Sequence, residues 1–186
     1  TNSGASFTKL IDGADINYFG YSETGEDASG QAPRDMDVAV NPIDADEVHI
    51  AGVHTWKSVN GGVSFSLTSY WEIGSVASLG VSYNHADIAL LKYLGNTLYV
   101  GSDGGIHIST DKAETFIDRT QGLGIREFYK IGVSKTNPNV VSGGSQDNGT
   151  SVMRGANRQW VDWLGADGME TFVSWNNASI LYGTSQ

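Results

Sequence analysis

The chain has 186 residues, enough for one domain with a buried core. Its 21 acidic groups against 11 basic ones give a net charge of -10, the wrong sign for nucleic acid or anionic lipid, so neither partner is expected. The absence of cysteine excludes a disulfide scaffold, a thiolate zinc site and a cysteine nucleophile, and no apolar run is long enough to span a bilayer. No cofactor or metal is called for.

Composition favours strands joined by tight turns. The 24 glycines are about twice the usual share, and aspartate outnumbers glutamate, which suits turns better than helix interiors. In chain order, VAV at 38–40, EVHIAG at 47–52, TLYVGS at 97–102, IHIS at 106–109 and SILYGT at 179–184 read as strands. No stretch of a dozen residues keeps a helical apolar period, so the chain reads as all-β.

An internal repeat organises these strands. VHIAG from Val48, LYVGS from Leu98, VVSGG from Val140 and ILYGT from Ile180 superpose, with starts 50, 42 and 40 positions apart. That spacing suits a four-stranded unit. A second column beginning at Asp37, Asp87 and Tyr129 stands 11 residues before its partner strand each time, which places a fourth start near 169. Each unit therefore opens with one strand, turns, and returns with a second.

A turn motif follows the second strand. Ser58, Asn60, Gly62, Ser64 and Phe65 match Ser109, Asp111, Ala113, Thr115 and Phe116 position for position, and Asn2, Gly4, Ser6 and Phe7 repeat the pattern without its opening serine. The Asn or Asp oxygen is expected to accept from backbone N–H groups two or three residues on, with glycine supplying a left-handed conformation. Phe7, Phe65 and Phe116 are expected to be buried as equivalent anchors. The unit at 151–160, SVMRGANRQW, keeps only a terminal aromatic and should carry an irregular outer hairpin.

These residues resemble the Asp-box, or BNR, repeat of β-propellers, a group that includes sialidases, sortilin-type receptor ectodomains, xyloglucan-hydrolysing enzymes and secreted bacterial repeat proteins. GSDGGIHISTDKAETF at 101–116 and GGSQDNGT at 143–150 are most similar to the bacterial surface group. The resemblance implies an all-β propeller segment of four-stranded antiparallel blades, with Asn2, Asn60 and Asp111 as structural Asp-box residues. The chain begins inside such a turn and stops two residues after a strand. About three complete blades plus parts of two are therefore expected, the remaining blades coming from the same polypeptide or a partner chain.

In propellers the loops entering the innermost strands gather around a central channel. Asp35, His85, Glu127 and Asp167 stand two residues before the first column, with Arg34 and Arg126 beside two of them. They are candidates for ligand binding, or for hydrogen bonds between neighbouring blades. The connections at 11–33 and 66–84 are long enough to be functional or disordered. Trp71 and Trp163 lie in connecting segments and could stack on sugar rings, whereas Trp56, Trp160 and Trp175 are expected to pack between blades. His54 and His107 are expected to face solvent. Asp103 and Asp147, each in a glycine-flanked turn after a strand, read first as turn residues and second as carboxylates aimed at a ligand.

The resemblance points to a secreted or cell-surface bacterial module that binds glycan or protein. The alternative is a glycoside hydrolase of the xyloglucanase type, in which Asp147 and Asp103 would be the catalytic candidates, since such cleavage needs an acid and a base across a cleft. A sialidase would need an arginine cluster and an Arg-Ile-Pro signature. The arginines present are Arg34, Arg119, Arg126, Arg154 and Arg158, and the signature is missing.

Overall fold

A computed structural model describes residues 3–186. Asn2 therefore lies outside the described residues. The chain divides into two compact units, residues 1–122 and 123–186.

The first unit holds two four-stranded antiparallel sheets in simple up-and-down order, the form of a propeller blade. One is built from β1 (Asp37–Asn41), β2 (Asp44–Ala51), β3 (Thr55–Ser58) and β4 (Ser66–Leu67). Two short parallel strands, β5 (Ser69–Tyr70) and β6 (Ser82–Tyr83), bracket a four-residue helix, α1 (Val76–Leu79), inside the 66–84 connection. The other sheet has β7 (Ile88–Leu94), β8 (Thr97–Ser102), β9 (Gly105–Ser109) and β10 (Ile117–Asp118). Alternation decides which side chains go inward: Leu98 and Val100 of β8 are buried together with Ala39, Ala51, Ile88, Leu91 and Ala113, which joins the two sheets through one apolar cluster.

The 11–33 connection is ordered. Asn17 donates from Nδ2 to the carbonyls of Asp27 and Ser29 at 3.0 and 2.9 Å, and the Asp27 carboxylate accepts from the N–H groups of Tyr21 and Ser22. So braced, the loop lays Tyr18 edge-on against Trp56, with ring centres 5.2 Å apart, and Ile11, Phe65 and Leu67 complete that cluster.

The second unit contains a third up-and-down sheet, β11 (Phe128–Val133), β12 (Val140–Ser145), β13 (Thr150–Arg154) and β14 (Trp160–Leu164). A pair, β15 (Gly168–Val173) and β16 (Leu181–Ser185), follows. The hairpin between β13 and β14 forms despite its divergent sequence, with a register shift at Thr150/Ser151 and left-handed Gly155 and Arg158 in its turn. Val140, Val152 and Val173 form the core, and Ser142 shares a 2.7 Å hydroxyl hydrogen bond with Thr171. A Cβ on Gly144 would fall 2.0 Å from the Met169 carbonyl, so β12 and β15 approach as closely as they do because no side chain stands between them.

The two complete turn motifs adopt matching geometry. Ser58 Oγ accepts from the N–H groups of Asn60 and Gly62, and Ser109 Oγ does so from those of Asp111 and Ala113. The carbonyl-type oxygen of the third residue reaches further than expected, accepting from the N–H four residues on: Ser64 N to Asn60 Oδ1 and Thr115 N to Asp111 Oδ1, both 3.0 Å. Gly61 and Gly62 hold the left-handed conformation in one copy, but Lys112 and Ala113 adopt it in the other, because the same three hydrogen bonds fix the loop.

Several expectations are corrected. Phe65 and Phe116 pack partly buried against their clusters, but Phe7 is 91% exposed, since it reaches neither of the apolar clusters of its unit. His54 and His107 are buried instead of solvent-facing: His54 stacks on Tyr70 with centres 4.6 Å apart and bonds the Tyr21 carbonyl, and His107 meets Tyr83 edge-on. Trp56 is buried as expected, whereas Trp160 and Trp175 are exposed. Trp160 keeps one ring contact, with Phe128, and Lys135 lies over the Trp175 face.

Candidate functional site

In the first unit, the residues ahead of the inner strands are held by the chain around them. Asp35 is buried and lies 4.0 Å from Arg34 Nε. His85 Nδ1 donates to the Ala86 carbonyl at 3.2 Å, and the ring packs against Gly104, where a Cβ would fall 2.2 Å from it. Asp103 is exposed at the tip between β8 and β9, its N–H donating to the Asp87 carbonyl at 3.3 Å. Trp71 is exposed beside Tyr70.

The second unit brings several candidates together. The turn leaving β12 is closed by Ser145 N–H on the Gly149 carbonyl, and Gln146 N–H donates to the carbonyl of exposed Glu127. Asp147 sits in the left-handed region at φ 55°, a conformation that Asp, Asn and Gly tolerate better than other residues. Its N–H donates to Asp167 Oδ1 at 2.7 Å, which fixes the turn against the entry to β15. The Asp147 Oδ2 is buried and takes no hydrogen bond among the described residues.

Opposite this turn, the end of β14 supplies the other wall. An open cleft of about 410 Å³ is lined by Asp147, Asn148, Asp162 and Trp163 with the backbone of Gly149 and Gly165. Trp163 is 38% exposed. The edge of its indole packs on Gly183 of β16, where a Cβ would come within 2.9 Å of the ring. Arg126 Nη1 donates to Asp162 Oδ1 at 3.0 Å and to Ser151 Oγ, and Ser151 in turn bonds Asp162. Arg126 is thus the ion-pair partner of Asp162. Asp147 and Asp162 give the cleft two lining carboxylates, of which Asp162 is ion-paired.

Asp147 and Trp163 therefore line one cleft, with Asp167 bonded to the Asp147 turn and Arg126 anchoring Asp162 at the rim. Asp103 and Asp147 belong to different units. Asp162 and Ser151, which sequence reading did not single out, complete the rim. The signal for Asp162 was its place in the alternating run WVDWL, opposite Ser151 across β13 and β14.

A second polar cluster lies in the first unit. Tyr93 Oη donates to Glu47 Oε1 at 2.7 Å, His49 Nε2 stands 3.1 Å from the same oxygen, and Lys112 pairs with Glu47 Oε2 at 3.0 Å. Burial pushes the Glu47 carboxyl up, but the hydrogen bonds from Tyr93, His49, Asn41 and Lys112 outweigh it and hold it down at about 2. Burial lowers the His49 imidazole against the opposing pull of Glu47, and burial, then Glu47, raises the Tyr93 hydroxyl. Glu47 and His49 are almost fully enclosed, so this cluster ties two sheets together and offers no ligand access.

No protein-family model matches the chain. No curated protein matches it either. Among solved structures, an ancestral GH74 enzyme is similar at 18% identity and a TM-score of 0.36, over 79% of this chain and 21% of that one. YCF48 from Cyanidioschyzon merolae is similar at 13% identity and a TM-score of 0.36, over 70% and 38%. The GH74 xyloglucanase from Xanthomonas campestris is similar at 15% identity and a TM-score of 0.29, over 87% and 25%. The chain spans between about a fifth and two fifths of these neighbours. Among the described residues, no helix is long and apolar enough to cross a membrane.

Proposed function

We propose that the chain is part of an Asp-box β-propeller, with blades starting near residues 37, 87, 129 and 169, that serves as a ligand-binding module of a secreted or cell-surface bacterial protein. Its ligand is a glycan or a protein segment, taken up at the cleft between Asp147 and Trp163. Asp167 sets the Asp147 turn, and Arg126 holds the opposite rim. Asp35, Arg34, His85, Glu127 and Trp71 are the secondary candidates.

The observation that carries this reading is Trp163, 38% exposed and packed at its edge on Gly183, lining one cleft together with Asp147. An aromatic face beside directed polar groups is the usual make-up of a small binding site. The test is binding of the chain to glycan and peptide arrays, repeated with Trp163→Ala. Binding that disappears in the variant at unchanged melting temperature supports the module, and binding indifferent to Trp163 moves the site elsewhere. Polysaccharide cleavage that is lost in Asp147→Asn would replace the module with a hydrolase.

A further inference from the structure

We infer that the cleft between Asp147 and Trp163 takes a cationic side chain of a polypeptide partner, arginine foremost. The inference rests on the reading of this cleft as a ligand site and adds the chemistry of what enters it.

The lining is rich in acceptors and poor in donors. Asp147 lines the cleft, and its turn is fixed by its N–H on Asp167 Oδ1. Asp162 adds a further carboxylate at the rim, two-thirds exposed. The side-chain donors in the wall are Trp163 Nε1 and Asn148 Nδ2, and the second is already directed to the Gln146 carbonyl at 2.9 Å. Arg126 Nη1 is occupied by Asp162 and Ser151. A neutral sugar offers hydroxyls that both donate and accept, and it would find few donors to match its acceptors here. A guanidinium has five donors, no acceptor and a permanent positive charge, which complements this wall.

Trp163 supplies the second half of the argument. A planar cation over an indole gains from the ring quadrupole as well as from apolar contact, and the gain grows as water is excluded. Gly183 packs against the edge of the ring, and Trp163 stays 38% exposed in the lining of the cleft. A site of about 410 Å³ with an open mouth suits one long side chain and the backbone flanking it.

The experiment uses the full chain and calorimetric titration with the peptide Ac-Gly-Arg-Gly-NH2 and its citrulline analogue, which has the same shape without the charge. The arginine peptide is expected to bind at least about tenfold more tightly than the citrulline one, with affinity falling as salt rises. Asp147→Asn and Trp163→Leu should each weaken arginine binding about tenfold or more. Asn tolerates the left-handed turn, and near-ultraviolet circular dichroism checks that both variants keep the native fold. Equal affinity for arginine and citrulline, or an Asp147→Asn variant that binds as before, overturns the inference. If a neutral oligosaccharide binds in a Trp163-dependent way and arginine does not, the charge assignment fails while the module reading stands. If neither class of ligand responds to Trp163, both fail.

Discussion

The two units divide the charge of the chain unequally. Residues 1–122 carry 16 acidic and 6 basic groups, whereas residues 123–186 carry five of each, so the whole net charge of -10 resides in the first unit. They also bury different polar groups. The first encloses ionisable side chains, among them Glu47, His49, His54 and His107, while the second encloses hydroxyls such as Ser142, Ser145, Thr150, Ser151 and Thr171. A buried hydroxyl needs one partner and ignores pH, but a buried carboxylate or imidazole ties the fold to its protonation state. The same strand pattern thus yields one unit whose packing depends on pH and another in which charge matters chiefly at the cleft.

The largest effect should come from the apolar cluster of the first unit. Leu98 is fully buried between two sheets, so Leu98→Ala should cost about 3 kcal/mol in urea unfolding, from lost transfer energy and the cavity left behind. The second unit has smaller core residues, and Val152→Ala should cost about half as much. Equal costs would remove the contrast in packing.

Acid should separate the units next. Glu47 is held at about 2 instead of 4.5, so its contribution is complete above about 4.5 and disappears as pH falls through about 2. His49, lowered from 6.5, acts in the same direction: its contribution is present above 6.5 and lost as the imidazole is forced to protonate below that. Tyr93→Phe removes a donor to the Glu47 carboxylate and should cost about 2 kcal/mol at pH 7. That cost should shrink toward pH 2, where the carboxylate becomes protonated. A cost independent of pH would show that Tyr93 acts by packing alone.

Much of this architecture was legible in the residues, and what was not has a physical reason. Strand columns at Asp37, Val48, Leu98 and Val140 fall within β1, β2, β8 and β12, because alternation and glycine spacing are local properties. The column at Asp87 begins one residue before β7, since Asp87 takes a left-handed conformation at the strand entry. The Glu47, His49, Tyr93 and Lys112 cluster was not legible: its members are separated by up to 65 positions and meet only when two sheets pack. The burial of His54 and His107 was hidden for the same reason, because their partners Tyr21, Tyr70 and Tyr83 arrive on connections. Within the candidate site, Asp147 and Trp163 could be picked out by turn chemistry and residue type. Their placement around one cleft depends on the Asp147 to Asp167 hydrogen bond, which no local pattern announces.

The turn motifs allow a smaller comparison. Ser58 and Ser109 are buried hydroxyls that each accept two backbone N–H groups, so Ser58→Ala and Ser109→Ala should each cost about 1 to 2 kcal/mol by leaving those donors unpaired. The hairpin of the second unit has no such hydroxyl. Asn157 bonds Gln159 on the surface, and Asn157→Ala should stay within about 0.5 kcal/mol of the parent. Thermal unfolding of the three variants measures the difference, and a costly Asn157→Ala would mean that the divergent hairpin has its own internal brace.

The smallest effect is expected where charge meets an aromatic face on the open surface of the second unit. Lys135 Nζ lies 4.2 Å from the centre of the Trp175 ring, and Trp175 is 68% exposed, so water competes for the ammonium throughout. Cation–π contacts in such places are worth about 0.5 to 1 kcal/mol. Lys135→Met keeps the length and the apolar stem of the side chain while removing the charge, which isolates the electrostatic part. The expected loss is about 0.5 kcal/mol or less, read from urea unfolding at low salt. A much larger loss would mean that Trp175 is sequestered from water by that contact, and the division between a unit that buries its charges and one that keeps them outside would no longer hold at this edge.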